Sequence, residues 1–143
     1  MEDQRGWVLA RRETEAGLSL LRLKTIEPEF DFGAFPERFN VIWDFQYPTN
    51  AGTPSASDSE AMKRFEDRVC ERIESDNQAI LCMAFTKSGY REYVFLSRDR
   101  DSFLTVLNTI PREPDPYPIE IHHEVDSAHE FYNSYAKGIR GAP

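Results

Sequence analysis

The segment QAILCMAF, residues 78–85, most constrains the fold, because both of its alternating faces are apolar. Successive side chains of a strand point to opposite faces, so this pattern is typical of a strand at the centre of a sheet. The stretch TKSGY then predicts a turn. The apolar stretch REYVFLS, residues 91–97, predicts the partner strand of a hairpin. An antiparallel hairpin is therefore expected at the centre of the fold.

A helix is predicted on each side of this hairpin. Ser57 and Glu60 have the spacing of a capping box at the start of the first helix. Its apolar residues recur at helical spacing: Met62, Phe65, Val69 and Ile73. Asp99 can cap the second helix, and the prolines within residues 111–118 cannot continue it. Its predicted core face contains Phe103, Leu104, Val106, Leu107 and Ile110.

The remaining segments complete a ferredoxin-like order. The segments 40–47 and 119–125 are predicted strands, so the order from residue 40 is β-α-β-β-α-β. The segments 7–12 and 18–26 predict an N-terminal β-hairpin that extends the antiparallel sheet, and residues 126–138 predict a short C-terminal helix. We therefore expect a single α+β domain spanning 1–143, with two main helices on one face of the sheet.

Alternation within residues 40–47 separates a core face from a polar face. The core face carries Val41, Trp43, Phe45 and Tyr47, and the opposite face carries Ile42, Asp44 and Gln46. The residues predicted to be buried most deeply are Trp43, Phe45, Met62, Phe65, Val69, Leu81, Val106 and Leu107.

Charge limits the classes of partner. The chain has 25 acidic and 17 basic residues, for a net charge of −8, and its basic residues are interspersed with acids. A nucleic-acid binder usually presents a basic face to the phosphates, so no nucleic acid is expected as a partner. An RNA-binding ferredoxin-like domain remains the least favoured alternative. Tyr90 and Tyr93 are three residues apart and would face opposite ways, whereas stacked bases need both aromatics on one face.

The compartment is predicted from what the chain lacks. No run approaches the ~18 apolar residues that span a bilayer, and the N-terminus has no apolar signal core. Cys70 and Cys82 match neither a zinc motif nor a redox pair. They are expected to be buried free thiols, which fits a reducing cytoplasm with no membrane association.

The stretch EIHHEVDSAHEFY, residues 120–132, contains every histidine of the chain. His122 and His123 are neighbours on a predicted strand, so their side chains should diverge. Asp126, or Ser127 together with Glu130, supplies the residues that a helix start needs. A strand followed by a helix is therefore the favoured interpretation of this stretch.

A metal site is the alternative interpretation of the same stretch. Imidazole and carboxylate groups are common zinc ligands, and His123, Asp126 and His129 could meet where strand and helix join. The chain would then be a small metal-dependent hydrolase that uses the region of His122, His123 and His129.

No catalytic motif for a nucleophile or a phosphate loop is present in the sequence, so no catalytic residue and no cofactor are assigned.

The polar sheet face provides the candidate binding residues Asp44, Gln46, Glu92 and His122. Asp44 with Glu120 or Glu92 could also form a carboxylate pair there. Trp7 and Tyr93 would either add aromatic contact area or belong to the core. The expected partner is another protein, with a basic protein among the options, or a second copy of the chain.

Four features occur in order along the chain: an early strand with Trp7, then NVIWDFQYPTNAG, SGYREYVFLSRDRDSF and DPYPIEIHHEVDSAHEFYNSY. Together they resemble a family of bacterial domains of unknown function (DUF-695-type) over nearly the whole chain. Members are sometimes joined to a domain similar to the B-type regulator of ribonuclease E, itself a small acidic α+β protein. The resemblance therefore implies a protein-binding or regulatory role. The family pattern has tryptophan near the position of His129, which argues against a shared catalytic histidine, and it carries over no established active site.

Overall fold

The computed structural model describes residues 7–14, 17–26, 30–111, 116–126 and 130–140, with the side chains of 12–18 and 136–140 outside the described part. Six strands, three α-helices and one short 3-10 helix make up this part. Their bounds are β1 Trp7–Thr14, β2 Gly17–Lys24, the 3-10 helix Phe32–Ala34, β3 Glu37–Asp44, α1 Ala56–Ser75, β4 Ala79–Lys87, β5 Tyr90–Ser97, α2 Arg100–Thr109, β6 Ile119–Val125 and α3 Glu130–Arg140.

The strands form one sheet in the order β1-β2-β4-β5-β3-β6, and every neighbouring pair is antiparallel. The four strands β3 to β6 enclose α1 and α2 in the sequence, which is the ferredoxin-like plan. The N-terminal hairpin extends the sheet beyond β4, where Leu20 pairs with Thr86 and Leu23 with Met83. The predicted α+β fold and the added hairpin are both confirmed.

The first face of the sheet packs against α1 and α2. The apolar stripe of α1 is buried, and Phe65 lies at its centre with no exposed surface. Its ring centroid is 5.4 Å from that of Trp43 and 5.8 Å from that of Tyr93. All eight residues predicted to be buried most deeply belong to this cluster. This face therefore holds the main core.

The second face is also covered over part of its area, which the expectation of one helix layer did not include. Segment 30–35 and helix α3 lie over β2, β4 and β5. Tyr132 of α3 is 4% exposed, and its hydroxyl donates to the carbonyl oxygen of Lys24 at 2.6 Å. The second buried cluster contains Leu23, Phe35, Cys82, Met83, Phe85, Val94, Leu96 and Tyr132. Because β4 is apolar on both faces, a cover on each side stabilises it.

The start of α1 lies two residues earlier than the capping prediction. Ser55, and not Ser57, is the N-cap, and its hydroxyl oxygen accepts a hydrogen bond from the backbone N–H of Asp58 at 3.1 Å. The buried Asp58 carboxylate accepts from the backbone N–H groups of Gln46 and Tyr47 at 3.0 and 2.8 Å. This contact turns the chain out of the sheet after β3. Tyr47, predicted on the core face, is therefore 68% exposed.

Tyr93 belongs to the core, which confirms the second of its two predicted roles. Its side chain is fully buried, and its hydroxyl makes no hydrogen bond of normal geometry in the described part of the chain, although the Arg91 side chain lies near it. Burial raises the pKa of this hydroxyl to about 12.

Tyr93→Phe should leave the free energy of unfolding unchanged or raise it by up to about 1 kcal/mol, because it removes a buried hydroxyl that makes no hydrogen bond of normal geometry. Urea unfolding of the variant and the wild type measures this difference. Tyr90→Phe, at a half-buried position on the same strand, is the matched control. A loss of more than about 1 kcal/mol in Tyr93→Phe would show that the hydroxyl has a stabilising partner.

Candidate functional site

The second face of the sheet is polar where β3 and β6 lie side by side. A cavity of about 280 Å³ opens there, and we call it the polar pocket. The residues that line it are Arg38, Asn40, Glu92, His122, His123 and Glu124. Cross-strand pairing explains this grouping, because Arg38 pairs with Glu124 and Asn40 with His122. Directly paired residues of antiparallel strands project to the same face.

Arg38 connects three elements around the polar pocket. Its Nε donates to Asn40 Oδ1 at 2.9 Å, its Nη1 to Asp126 Oδ2 at 2.9 Å, and its Nη2 to Glu124 Oε1 at 2.7 Å. Its guanidinium carbon is 4.5 Å from the centroid of the Phe131 ring. The side chain is only 14% exposed. Arg38 therefore joins β3, the end of β6 and α3.

Asp126 caps the last helix, as one of the two sequence interpretations predicted. Its carboxylate accepts from the backbone N–H groups of Glu130 and Phe131 at 3.0 and 3.3 Å. Burial acts to raise the pKa of this carboxyl, but these amides and the Arg38 guanidinium outweigh burial, so the pKa lies below its ordinary value. The carboxylate is thus held ionised at the strand-to-helix junction.

Two of the four predicted binding residues line the polar pocket. Glu92 accepts a hydrogen bond from Asn40 Nδ2 at 2.6 Å, and His122 lies at the rim. Asp44 and Gln46 are exposed at the end of β3, where the Gln46 side-chain amide donates to the Asp44 carbonyl oxygen at 3.0 Å. The pocket thus includes only half of the predicted binding face.

Two members of the predicted carboxylate pair have other hydrogen-bond partners. Glu92 is held by Asn40, and Glu120 lies 2.6 Å from His122 Nε2. In the described part of the chain, Asp44 has no side-chain bond to either glutamate. The acid/base pair of Asp44 with Glu120 or Glu92 therefore stays a prediction.

The histidines diverge as the strand prediction requires. His122 is on the second face with Glu120, and its side chain is 55% exposed. His123 is on the first face, where its Nε2 lies 2.6 Å from Glu37 Oε1 and its ring centroid 4.8 Å from that of Phe39. Their directions separate the two imidazoles across the thickness of the sheet.

The two predicted metal ligands that the structure describes, His123 and Asp126, do not point toward a common site. His123 is paired with Glu37 on the first face, and Asp126 is paired with Arg38 near the second. His129 lies outside the described residues. Within the described ranges, no three His, Cys, Asp or Glu side chains converge where they could hold a metal ion. A site that includes His129 stays a prediction, and elemental analysis after dialysis against zinc would decide it.

Sequence reasoning missed Arg38 and Asn40. The strand was predicted to begin at Asn40, whereas β3 begins at Glu37. When the strand begins at Glu37, every second residue lies on one face, and three of these residues, Arg38, Asn40 and Asp44, are polar. This alternation of polar residues was the signal in the sequence that could have placed Arg38 and Asn40 at the site. The charged residues before Asn40 resembled a loop because they follow two turn-forming positions, Gly33 and Pro36.

Fold and pocket together define an α+β domain of ferredoxin-like plan, extended by a β-hairpin and with a second layer around α3. In the part of the chain that the structure describes, no helix has both the length and the apolar character to cross a bilayer. A model of the DUF695 family, a family of unknown function, matches residues 6–136. The chain belongs to this family, which confirms the resemblance found in its sequence. No curated protein and no solved structure matches the chain.

Proposed function

We propose that this chain is a non-catalytic protein-interaction module of the reducing cytoplasm, with a regulatory role, that binds a basic partner at the β6 side of its sheet. The observation that supports this proposal is the open polar pocket at the edge of a face that segment 30–35 and α3 cover in part. The exposed carboxylate of Glu124 lines this pocket, that of Glu120 is on the same face of β6, and Asp44 is exposed at the end of β3. Lysine or arginine side chains of a partner would pair with these groups.

The edge strand β6 offers a second means of contact. It pairs with β3 on one side only, so its outer backbone N–H and C=O groups have no strand partner in the described part of the chain. Two apolar side chains of β6, Ile121 and Val125, are 40% and 65% exposed. An exposed edge strand with apolar side chains is a template for strand addition by another chain. A partner strand would cover both apolar residues and approach the glutamates.

The cysteines support a non-catalytic interpretation. Both are free thiols. Burial raises the pKa of Cys70 to about 12, and it raises the pKa of the fully buried Cys82 as well. Only the thiolate is a good nucleophile, so neither group is activated for covalent chemistry at neutral pH.

Charge reversal on β6 tests the proposed interface. A Glu120→Lys, Glu124→Lys double variant should weaken capture of a basic partner by at least about tenfold, because it replaces two attractive charges with two repulsive ones. Glu71→Lys, Glu74→Lys makes the same change in charge on exposed positions of α1 and is the control. Proteins that co-purify with each tagged chain from the native host are quantified, and thermal melting checks that both variants fold.

The same variants distinguish a foreign partner from self-association. Sedimentation velocity of the purified wild type shows whether a second copy binds, and the β6 variant should then sediment as a monomer. Equal capture by both double variants, together with unchanged sedimentation, would exclude β6 as the interface.

A further inference from the structure

A second concave surface lies on the first face, where the N-terminal hairpin extends the sheet beyond its helices. Its volume is about 310 Å³, and we call it the arginine groove. Strand register places its side chains on one face, because Leu9 pairs with Arg22, Leu20 with Thr86, and Thr86 with Arg91. The defining side chains are Leu9, Arg11, Leu20, Arg22, Thr86 and Arg91. Four strands therefore contribute to one groove in an otherwise acidic chain.

Arg22 is fixed within the fold and its charge is compensated. Its Nη1 and Nη2 donate to the two carboxylate oxygens of Glu66 on α1, at 3.2 and 2.7 Å. Its guanidinium carbon lies 4.9 Å from the centroid of the Trp7 ring. A bidentate pair of this kind orients the side chain. Arg22 therefore forms a wall of the groove and is not its anion-binding group.

Arg91 is held in place but has no counter-ion. Its Nε donates to Thr86 Oγ1 at 2.8 Å, and in the described part of the chain no carboxylate forms a salt bridge with it. Arg91 is half-buried, and Thr86 is 8% exposed. The terminal N–H groups of the guanidinium and the Thr86 hydroxyl proton can still donate hydrogen bonds. A partly desolvated cation without a counter-ion favours an incoming anion.

The rest of the groove is apolar. Leu9 and Leu20 are 59% and 41% exposed, and Ala84 lies beneath them with 3% exposure. Leu20, Thr86 and Arg91 also border a smaller cavity of about 80 Å³ under residues 51–54. Apolar walls with a few converging polar groups are typical of sites for small molecules.

The wall beside Arg91 is rigid because two turns pack closely. The Gly89 N–H donates to the Gly52 carbonyl oxygen at 2.8 Å. Gly52 has a φ of +83°, and a Cβ atom there would lie 2.2 Å from Ser88 Oγ. Only glycine fits this position without strain, so the loop is held against the β4–β5 turn. The loop at Gly52 and the β4–β5 turn thus form one packed wall beside Arg91.

We propose that the arginine groove binds a small amphipathic oxyanion, a carboxylate or a phosphate monoester, with its anionic group on Arg91 and Thr86 and its apolar chain against Leu9 and Leu20. This site has the opposite charge preference from the β6 interface, and it lies on the opposite face of the sheet from the polar pocket. It does not depend on the proposed interaction with a basic partner.

Titration calorimetry of the full chain with octanoate, octyl phosphate and neutral octanol tests the site below micelle-forming concentrations. At least one of the two anions should bind saturably with one-to-one stoichiometry, and octanol should bind at least about tenfold more weakly. Tighter binding of octanoate would identify a carboxylate site, and tighter binding of octyl phosphate a phosphate site. Equal binding of octanol and the anions, or no saturable binding of either anion, would overturn the proposal.

Variants locate the anion within the groove. Arg91→Gln should weaken binding of the preferred anion by at least about tenfold, whereas Arg72→Gln, at an exposed arginine on α1, should leave it unchanged. Thr86→Val keeps the size of the side chain and serves as a second test if Arg91→Gln does not fold. Unchanged affinity in a folded Arg91→Gln or Thr86→Val variant would show that the anion does not bind there.

Discussion

Replacing Phe65 with alanine should lower the free energy of unfolding by about 3–5 kcal/mol. The Phe65 ring is fully buried, and it contacts aromatic rings from β3, from β5 and from the segment before β6. Its centroid lies 5.4 Å from Trp43, 5.8 Å from Tyr93 and 5.0 Å from Tyr117. Alanine would leave a cavity that these rigid neighbours cannot fill. Urea unfolding measures this loss, provided that the slope of the unfolding free energy against urea concentration is the same in the variant and the wild type.

Tyr47→Ala is the matched control for this aromatic truncation. Tyr47 is 68% exposed, so its removal should change the free energy of unfolding by no more than about 0.5 kcal/mol. A loss below about 1 kcal/mol in Phe65→Ala would contradict the packing of α1 on the first face.

Asp126→Ala should lower the free energy of unfolding by about 2–3 kcal/mol, the second largest effect that we expect. The substitution removes the acceptor for the first amides of α3 and deprives Arg38 of one counter-ion. The Asp126 and Arg38 side chains are 10% and 14% exposed, so solvent replaces the lost interactions poorly. Glu124→Gln is the control, because its carboxylate is 68% exposed and should contribute no more than about 0.5 kcal/mol.

The pH dependence isolates the charge of Asp126. Because its pKa in the folded state is lowered, the ionised carboxylate stabilises the fold fully above the ordinary aspartate pKa of about 3.9. That stabilisation is lost as the pH falls through the folded-state pKa. The difference in unfolding free energy between wild type and Asp126→Asn should therefore be constant near pH 6–7 and decrease below about pH 4. A difference that grows on acidification would contradict the assignment.

Periodicity in the sequence predicted the elements whose burial is strong and regular. The stripe of α1 and the two apolar faces of β4 identified the core, and the alternation in β6 placed His122 and His123 on opposite faces. These patterns repeat with the period of the backbone itself, so one sequence contains enough information to identify them.

The second layer could not be predicted in the same way. Segment 30–35 has Gly33 at its centre and Pro36 after it, and its turn signals are locally correct. Its aromatic rings are nevertheless packed, with Phe30 and Phe35 stacked at 5.0 Å and Phe35 only 2% exposed. No periodic spacing marks such a segment, because one short 3-10 turn and packing against the sheet order it, and neither repeats along the sequence.

The start of α1 illustrates a related limit. Serines occur at 55, 57 and 59, and more than one of them has an acidic residue three positions later. Local pattern therefore leaves the choice of cap open. The structure selects Ser55 because Asp58 then reaches the amides that follow β3. The contact of Asp58 with the segment after β3 therefore determines which serine caps α1, and the four-residue capping motif alone does not.

The length and the few polar anchors of helix α3 affect the local stability of the fold as well as the polar pocket. It has eleven residues, and an isolated helix of that length is marginal in water. Its anchors to the sheet are Asp126 with Arg38 at its beginning and the Tyr132 hydroxyl on Lys24 further along. Detachment of α3 is thus a smaller event than global unfolding, and its amides should exchange hydrogen with solvent through an opening that leaves β4 and β5 paired. During such an opening, the apolar surface of Phe85 beneath α3 would become accessible without loss of the sheet.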